Sequence, residues 1–203
     1  REVMVAILMI RQYREFIPAD AEVSRAIVDS LLNLDGRVHI SIFYDACKNI
    51  GGMPATIARQ FLTKLARIIQ EDGEIGLLDE LLLEYVKFEL NLLPLHMPTS
   101  LGEVKPDIVR LIDALLHVQQ INSLNQLDVR EKILKRVLGA KELEMYTEIS
   151  DEPIDLAEIL NDIAGLLLRD RLSILGIAEL CLWNDRIITQ DELDVLQLLY
   201  WRF

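Results

Sequence analysis

The chain has 203 residues, 51% of them apolar, with 33 acidic against 21 basic side chains and a formal net charge of −12. That is enough apolar mass for a core and far from the composition of disordered chains, while the acidity argues against nonspecific nucleic-acid binding and docking on anionic membranes, both of which need clustered Lys and Arg. Nine Gly, six Pro and 6% aromatic residues read as helical rather than as a sandwich or barrel.

Apolar residues at three- and four-residue spacing predict a succession of helices. The first covers 3–16 and stops before Pro18, which removes a donor and biases Ile17 out of the α region. The second covers 20–34, with Val23, Ala26, Ile27 and Leu31 on one face, and Asp35-Gly36 breaks it. A third, 38–50, ends at Gly51-Gly52. Pro54, as a first-turn proline, opens 54–70, whose stripe is Ile57, Ala58, Phe61, Leu62, Leu65, Ile68 and Ile69. Beyond Asp72-Gly73 comes 77–93, then a loop punctuated by Pro94, Pro98, Gly102 and Pro106. Helix 105–120 buries Ile108, Leu111, Ile112, Leu115 and Leu116, and Asn122 or Ser123 caps 124–138, which Gly139 ends. Helices over 154–168, 170–183 and 189–203 complete the chain. The expectation is an all-α multi-helix bundle of about ten helices. Its division is a unit at 1–139, a charged linker at 140–152 and a shorter unit at 153–203, packed either separately or as one domain.

Cys47 and Cys181 lie in apolar helical contexts outside any CxxC pair, so they read as buried free thiols. The apolar run at 3–10 is far shorter than the roughly 20 residues of a membrane span. The chain starts without Met and stops within an apolar stretch, which reads as a segment of a longer protein. His39, His96 and His117 are isolated, so no HExxH zinc motif is present, nor is a phosphate-binding glycine loop or a GxSxG elbow.

One pattern recurs. Residues 72–81, DGEIGLLDEL, match 184–193, NDRIITQDEL, at an offset of 112, pairing Ile75 with Ile187, Asp79 with Asp191, Glu80 with Glu192 and Leu81 with Leu193. The preceding helices agree through Leu62/Ile174, Leu65/Ile177, Ala66/Ala178 and Ile69/Cys181. The unit is an apolar helix, an acidic turn, one inward Ile and a helix opening on Asp-Glu. Carboxylates in a first turn oppose the positive end of the helix dipole, and Thr189 with Glu192 has capping-box spacing. The candidate cation ligands are Asp72, Asp79, Glu80, Asp191 and Glu192. An EF-hand fails on ligand count: with Gly73 at loop position six, positions one and three are Ile68 and Gln70. Trp183, Tyr200, Trp201 and Phe203 concentrate aromatics near the end, either as core or as a surface that docks a partner.

The Asp-Gly-x-Ile-x-x-x-Asp-Glu signature between helices resembles the TerB-like fold. The succession of RVHISIFYDACKNIGGM at 37–53, FLTKLARIIQEDGEIGLLDELLLEYV at 61–86 and 159–203 is similar to the C-terminal cytosolic region of bacterial membrane proteins with an upstream HtpX-type zinc metallopeptidase domain. The resemblance implies a non-catalytic regulatory or scaffolding region on the cytoplasmic side of an inner-membrane protein. It further implies zinc and proteolysis in the upstream domain, no catalytic residue or cofactor in this segment, and a protein partner or the upstream domain as what it contacts. The second copy departs from the signature, with Asn184-Asp185 where Asp-Gly is expected. The alternatives are a TerB-like module binding a cation or stress ligand at its acidic turns, and an α-solenoid adaptor whose repeats contact only their neighbours.

Overall fold

The computed structural model describes residues 2–10, 33–70, 75–94, 97–118, 123–146, 155–184 and 187–203. Residues 20–32 of the expected helix over 20–34, and the turn residues Asp72, Gly73 and Asp185, lie outside them; Asn33 and Leu34, its expected end, form a turn ahead of the next helix. Among the described residues the chain is all-helical, with no strand. It divides into two compact units, one of residues 1–75 with 82–93, the other of 76–81 with 94–203. This division differs from the sequence-based one: residues 140–146, at the start of the expected linker, form short helices inside the second unit.

The first unit begins with α1 (Glu2–Ile10), which packs on α2 (Gly36–Lys48). Val3, Ala6, Ile7 and Ile10 are buried on α1, and Ile40, Phe43, Ala46 and Cys47 on α2, each set at the spacing that puts side chains on one helical face. Asp35 caps α2 through a carboxylate that accepts from the Arg37 amide at 3.0 Å. Helix α3 (Ala55–Gln70) buries Ala58, Leu65 and Ile69; Pro54 stands just ahead of it, its carbonyl accepting from the Ala58 amide at 2.9 Å. Helix α4 (Leu77–Glu89) contributes Leu82, Tyr85 and Val86 to the core.

Helix α4 stops four residues short of the apolar run that suggested 77–93. Asn91 takes a left-handed conformation, φ 53°, and the Asn91 and Leu92 amides bond back to the carbonyls of Phe88 and Lys87 at 3.0 and 2.9 Å. This 6→1 and 5→2 pair ends a helix, with Asn in the place glycine usually takes. Around Tyr85 the rings of Phe43 and Tyr44 lie 5.9 and 6.1 Å away. The Tyr85 hydroxyl and the Lys48 ammonium donate to the same Glu89 oxygen, at 2.8 and 2.6 Å. Glu89 therefore holds Lys48 charged more firmly than usual, while burial pushes the Tyr85 hydroxyl up.

In the second unit α5 (Lys105–Val118) packs against α6 (Ser123–Val137), α8 (Leu156–Ala164) and α9 (Leu168–Leu182), and α9 also packs against α6 and α10 (Gln190–Arg202). Short α7 (Ala140–Leu143) runs into a 3-10 turn at Glu144–Tyr146. Ile108, Leu111, Ile112, Leu115 and Leu116 of α5 are all buried, as the periodicity predicts. A helix contacting elements distant in sequence departs from the neighbour-only packing of a solenoid. Arg130 of α6 is buried and forks onto Asp113 of α5, at 2.5 Å from Nε to Oδ1 and 3.0 Å from Nη2 to Oδ2, with Nη1 donating to the Tyr146 carbonyl. Helix α8 ends at Ala164 rather than at 168, because the loop crosses it at Gly165. A Cβ there would meet the Met97 carbonyl oxygen at 2.3 Å, and the Thr99 amide and hydroxyl donate to the carbonyls of Gly165 and Asp162 at 3.3 and 3.0 Å.

Candidate functional site

The acidic corners are built by local capping. Gly76 precedes α4, and its amide donates to Asp79 Oδ2 at 3.1 Å. Thr189 caps α10: Glu192 Oε2 accepts from the Thr189 amide at 2.7 Å, and the Thr189 hydroxyl accepts from the Glu192 amide at 3.3 Å. This is the capping box that the spacing predicts. The carboxylate in the third helical position, reaching back to the cap amide, is Asp79 in one corner and Glu192 in the other.

That equivalence corrects the register of the repeat. The caps, Gly76 and Thr189, are related by 113 rather than 112. Burial agrees: Leu81, Leu82, Tyr85 and Val86 of α4 correspond to Asp194, Val195, Leu198 and Leu199 of α10, all buried, whereas Leu193, matched to Leu81 by letter, is 37% exposed. One residue of shift turns a helix by 100°, so the letter match Asp-Glu-Leu pairs side chains on different faces. Ile75 and Ile187, expected to anchor the turns in the core, are 46% and 68% exposed. Each precedes the cap, in a stretch outside the helix, so helical periodicity does not carry it inward.

The same device occurs outside the repeat. Glu142 Oε2 accepts from the Gly139 amide at 2.9 Å, and Glu103 Oε2 from the Ser100 amide at 2.8 Å. An oxygen engaged by a backbone donor has fewer lone pairs left for a cation, and within each Asp-Glu pair the neighbours diverge: Asp79 and Glu192 are buried, Glu80 is half-buried and Asp191 is exposed. Among the described residues no three His, Cys, Asp or Glu side chains form a group suited to a metal. His39 and Cys47, both buried on α2, are separated by about 12 Å of helix rise. Burial pushes both thiols up, that of Cys181 to about 12 with a smaller contribution from Asp113. A zinc ligand set is thus not assembled among the described residues.

The most distinctive surface lies on α9. Leu168 is 58% exposed, Leu172 54%, Leu180 41% and Trp183, at the C-cap, 54%. With Gly176 they form a row at four-residue spacing along one side of the helix, closed by Trp183. A Cβ at Gly176 would meet nothing within 4 Å. The opposite side, with Ile174, Leu175, Ala178, Cys181 and Leu182, is buried. The Tyr200 hydroxyl, on α10, donates to Glu179 beside the row, and this bond pushes the Tyr200 hydroxyl up. Of the aromatic candidates, Trp183 and Tyr200 are thus at the surface, while Trp201 and Phe203 are half-buried and the Phe203 carbonyl accepts from Arg171 at 2.7 Å. Leu168, Leu172 and Leu180 do not stand out in the sequence, because Arg169, Asp170, Arg171, Ser173 and Glu179 are spread among the apolar residues of α9 and no single apolar stripe marks a face.

Neither family models, curated proteins nor solved structures yield a match to this chain. Among the described residues no helix is long and apolar enough to cross a membrane.

Proposed function

We propose that this chain is a non-catalytic protein-interaction module serving a membrane-associated zinc metallopeptidase, in which proteolysis and zinc belong to an upstream catalytic domain. The observation that carries the reading is the uncovered row Leu168, Leu172, Leu180 and Trp183 on α9. Large aliphatic and aromatic side chains aligned on a rigid helix gain free energy when a partner removes them from water. The resemblance of the acidic-turn units to the cytosolic region of such peptidases supplies the context. The acidic corners contribute geometry, since their carboxylates set the starts of α4 and α10.

The test uses the full-length peptidase in vesicles, with Leu172→Asp and Leu180→Asp introduced together. Cleavage of a short unstructured peptide is expected to stay unchanged, because the zinc site lies elsewhere, while cleavage of a protein substrate falls several-fold. A full-length protein without zinc-dependent proteolysis, or a variant that cleaves both substrates like the parent, overturns the proposal.

A further inference from the structure

The occupant of the α9 face has a chemistry that the face itself specifies. We infer that it is the same face of a second copy of this chain, packed antiparallel about a two-fold axis through Gly176; the inference rests on the proposal that this row is an interaction surface. A two-fold interface is self-complementary, so residue i meets j while j meets i. With the axis at Gly176, Leu172 falls opposite the partner's Leu180, and Leu180 opposite the partner's Leu172. Gly176 meets itself at the crossing point, where side chains normally keep helix axes 8–10 Å apart. An open glycine at that point lets the rows interdigitate closely, and among the described residues no contact requires one there.

The charges follow the same symmetry. Arg169, whose side chain is 82% exposed and whose Nε lies 3.3 Å from Asp170 Oδ1, lies at the N-terminal end of the row, and Glu179 lies in its C-terminal half. An antiparallel copy places Arg169 beside the partner's Trp183, where a guanidinium stacks on an indole face, and one helical turn from the partner's Glu179. A parallel arrangement would set Arg169 against Arg169 and Glu179 against Glu179. Electrostatics therefore favours the antiparallel register, in which the two helix dipoles also oppose one another.

Sedimentation of the 203-residue chain as a function of concentration reads the dimer. Dimerisation is expected to be reversible and to weaken about tenfold or more in Gly176→Leu, with helical content kept and the melting temperature not reduced when read at concentrations where the parent is also monomeric, because a Cβ at this position meets nothing within 4 Å. Register is read by crosslinking single-cysteine variants. Gly176→Cys is expected to form a disulfide with itself, and Leu172→Cys to crosslink with Leu180→Cys in a mixture but not with itself. A chain that stays monomeric, or a dimer untouched by Gly176→Leu, overturns the inference. If the chain is monomeric while Leu172→Asp with Leu180→Asp still impairs cleavage of the protein substrate, the occupant is another protein and the proposed function stands. If neither effect is seen, both fall.

Discussion

Gly165→Ala isolates a single close approach in the second unit. The new Cβ would lie 2.3 Å from the Met97 carbonyl oxygen, 2.9 Å from Thr99 Oγ1 and 3.2 Å from the Asp162 carbonyl oxygen. An ordinary contact needs roughly 1 Å more than the shortest of these, so the strand of loop at 97–100 must move off α8. That displacement strains the packing, at about 1–3 kcal/mol, and disturbs the two hydrogen bonds of Thr99, each contributing about 0.5–1.5 kcal/mol. The backbone angles of Gly165, φ −71° and ψ −13°, are ordinary for alanine, which returns about 0.4–1 kcal/mol through the unfolded chain. The net expectation is a loss of about 2–4 kcal/mol, or roughly 2–4 °C in Tm per kcal/mol. Urea unfolding followed by tryptophan fluorescence reads it, since Trp183 and Trp201 both lie in this unit. Gly176→Ala is the matched control: with no neighbour within 4 Å, it should gain about 0.5–1 kcal/mol. A Gly165→Ala protein as stable as the parent would mean that the loop at 97–100 does not bear on α8 at this point.

Arg130→Ala should cost about 3–5 kcal/mol, because it leaves the buried Asp113 carboxylate without its forked partner; the double variant Arg130→Met with Asp113→Leu should recover most of the loss in urea unfolding, and no recovery would show that the pair does more than satisfy itself. Asp194 is buried and its carboxyl is pushed up to about 6, chiefly by burial, against an ordinary value of 3.8, despite the Gln190 amide donating to it at 2.7 Å. The folded chain therefore binds this proton more tightly than the unfolded one, so stability falls as pH rises from about 4 to 6 and is level above. Asp194→Asn should stabilise the protein at pH 7 by about 1–3 kcal/mol, with the advantage gone near pH 4, and a pH-independent difference would contradict this account. A thiol reagent at pH 8 should leave Cys47 and Cys181 unmodified in the native chain and modify both in urea; rapid native labelling would place a thiol at the surface.

Much of the fold is legible in the sequence because helical burial has a short period. The stripe of α5, that of α3 apart from Ile57 (52% exposed, in the helix's first turn), and the capping box of Thr189 and Glu192 all depend on residues within a turn or two of one another, where letter spacing and physical spacing coincide. Reading the acidic repeat by identity went astray for the complementary reason. Asp79-Glu80 and Asp191-Glu192 look alike, yet the residue that reaches the cap amide is the first of one pair and the second of the other, and that choice rotates each helix by a residue.

Composition and periodicity by themselves determine that this chain is all-helical, acidic and equipped with carboxylates at its helix starts, since these follow from local hydrogen bonding and from the alternation of apolar faces. Only the tertiary structure decides which face of α9 is covered, because apolar and charged residues are mixed around this helix and its sequence marks no single stripe. It also decides that Gly165 is held by a passing loop while Gly176 stands open, since a glycine's neighbours come from elsewhere in the chain. Asn91 ends α4 inside an apolar run for a related reason: its left-handed backbone and the two amides that bond back across the last turn override the periodicity of the residues beyond it.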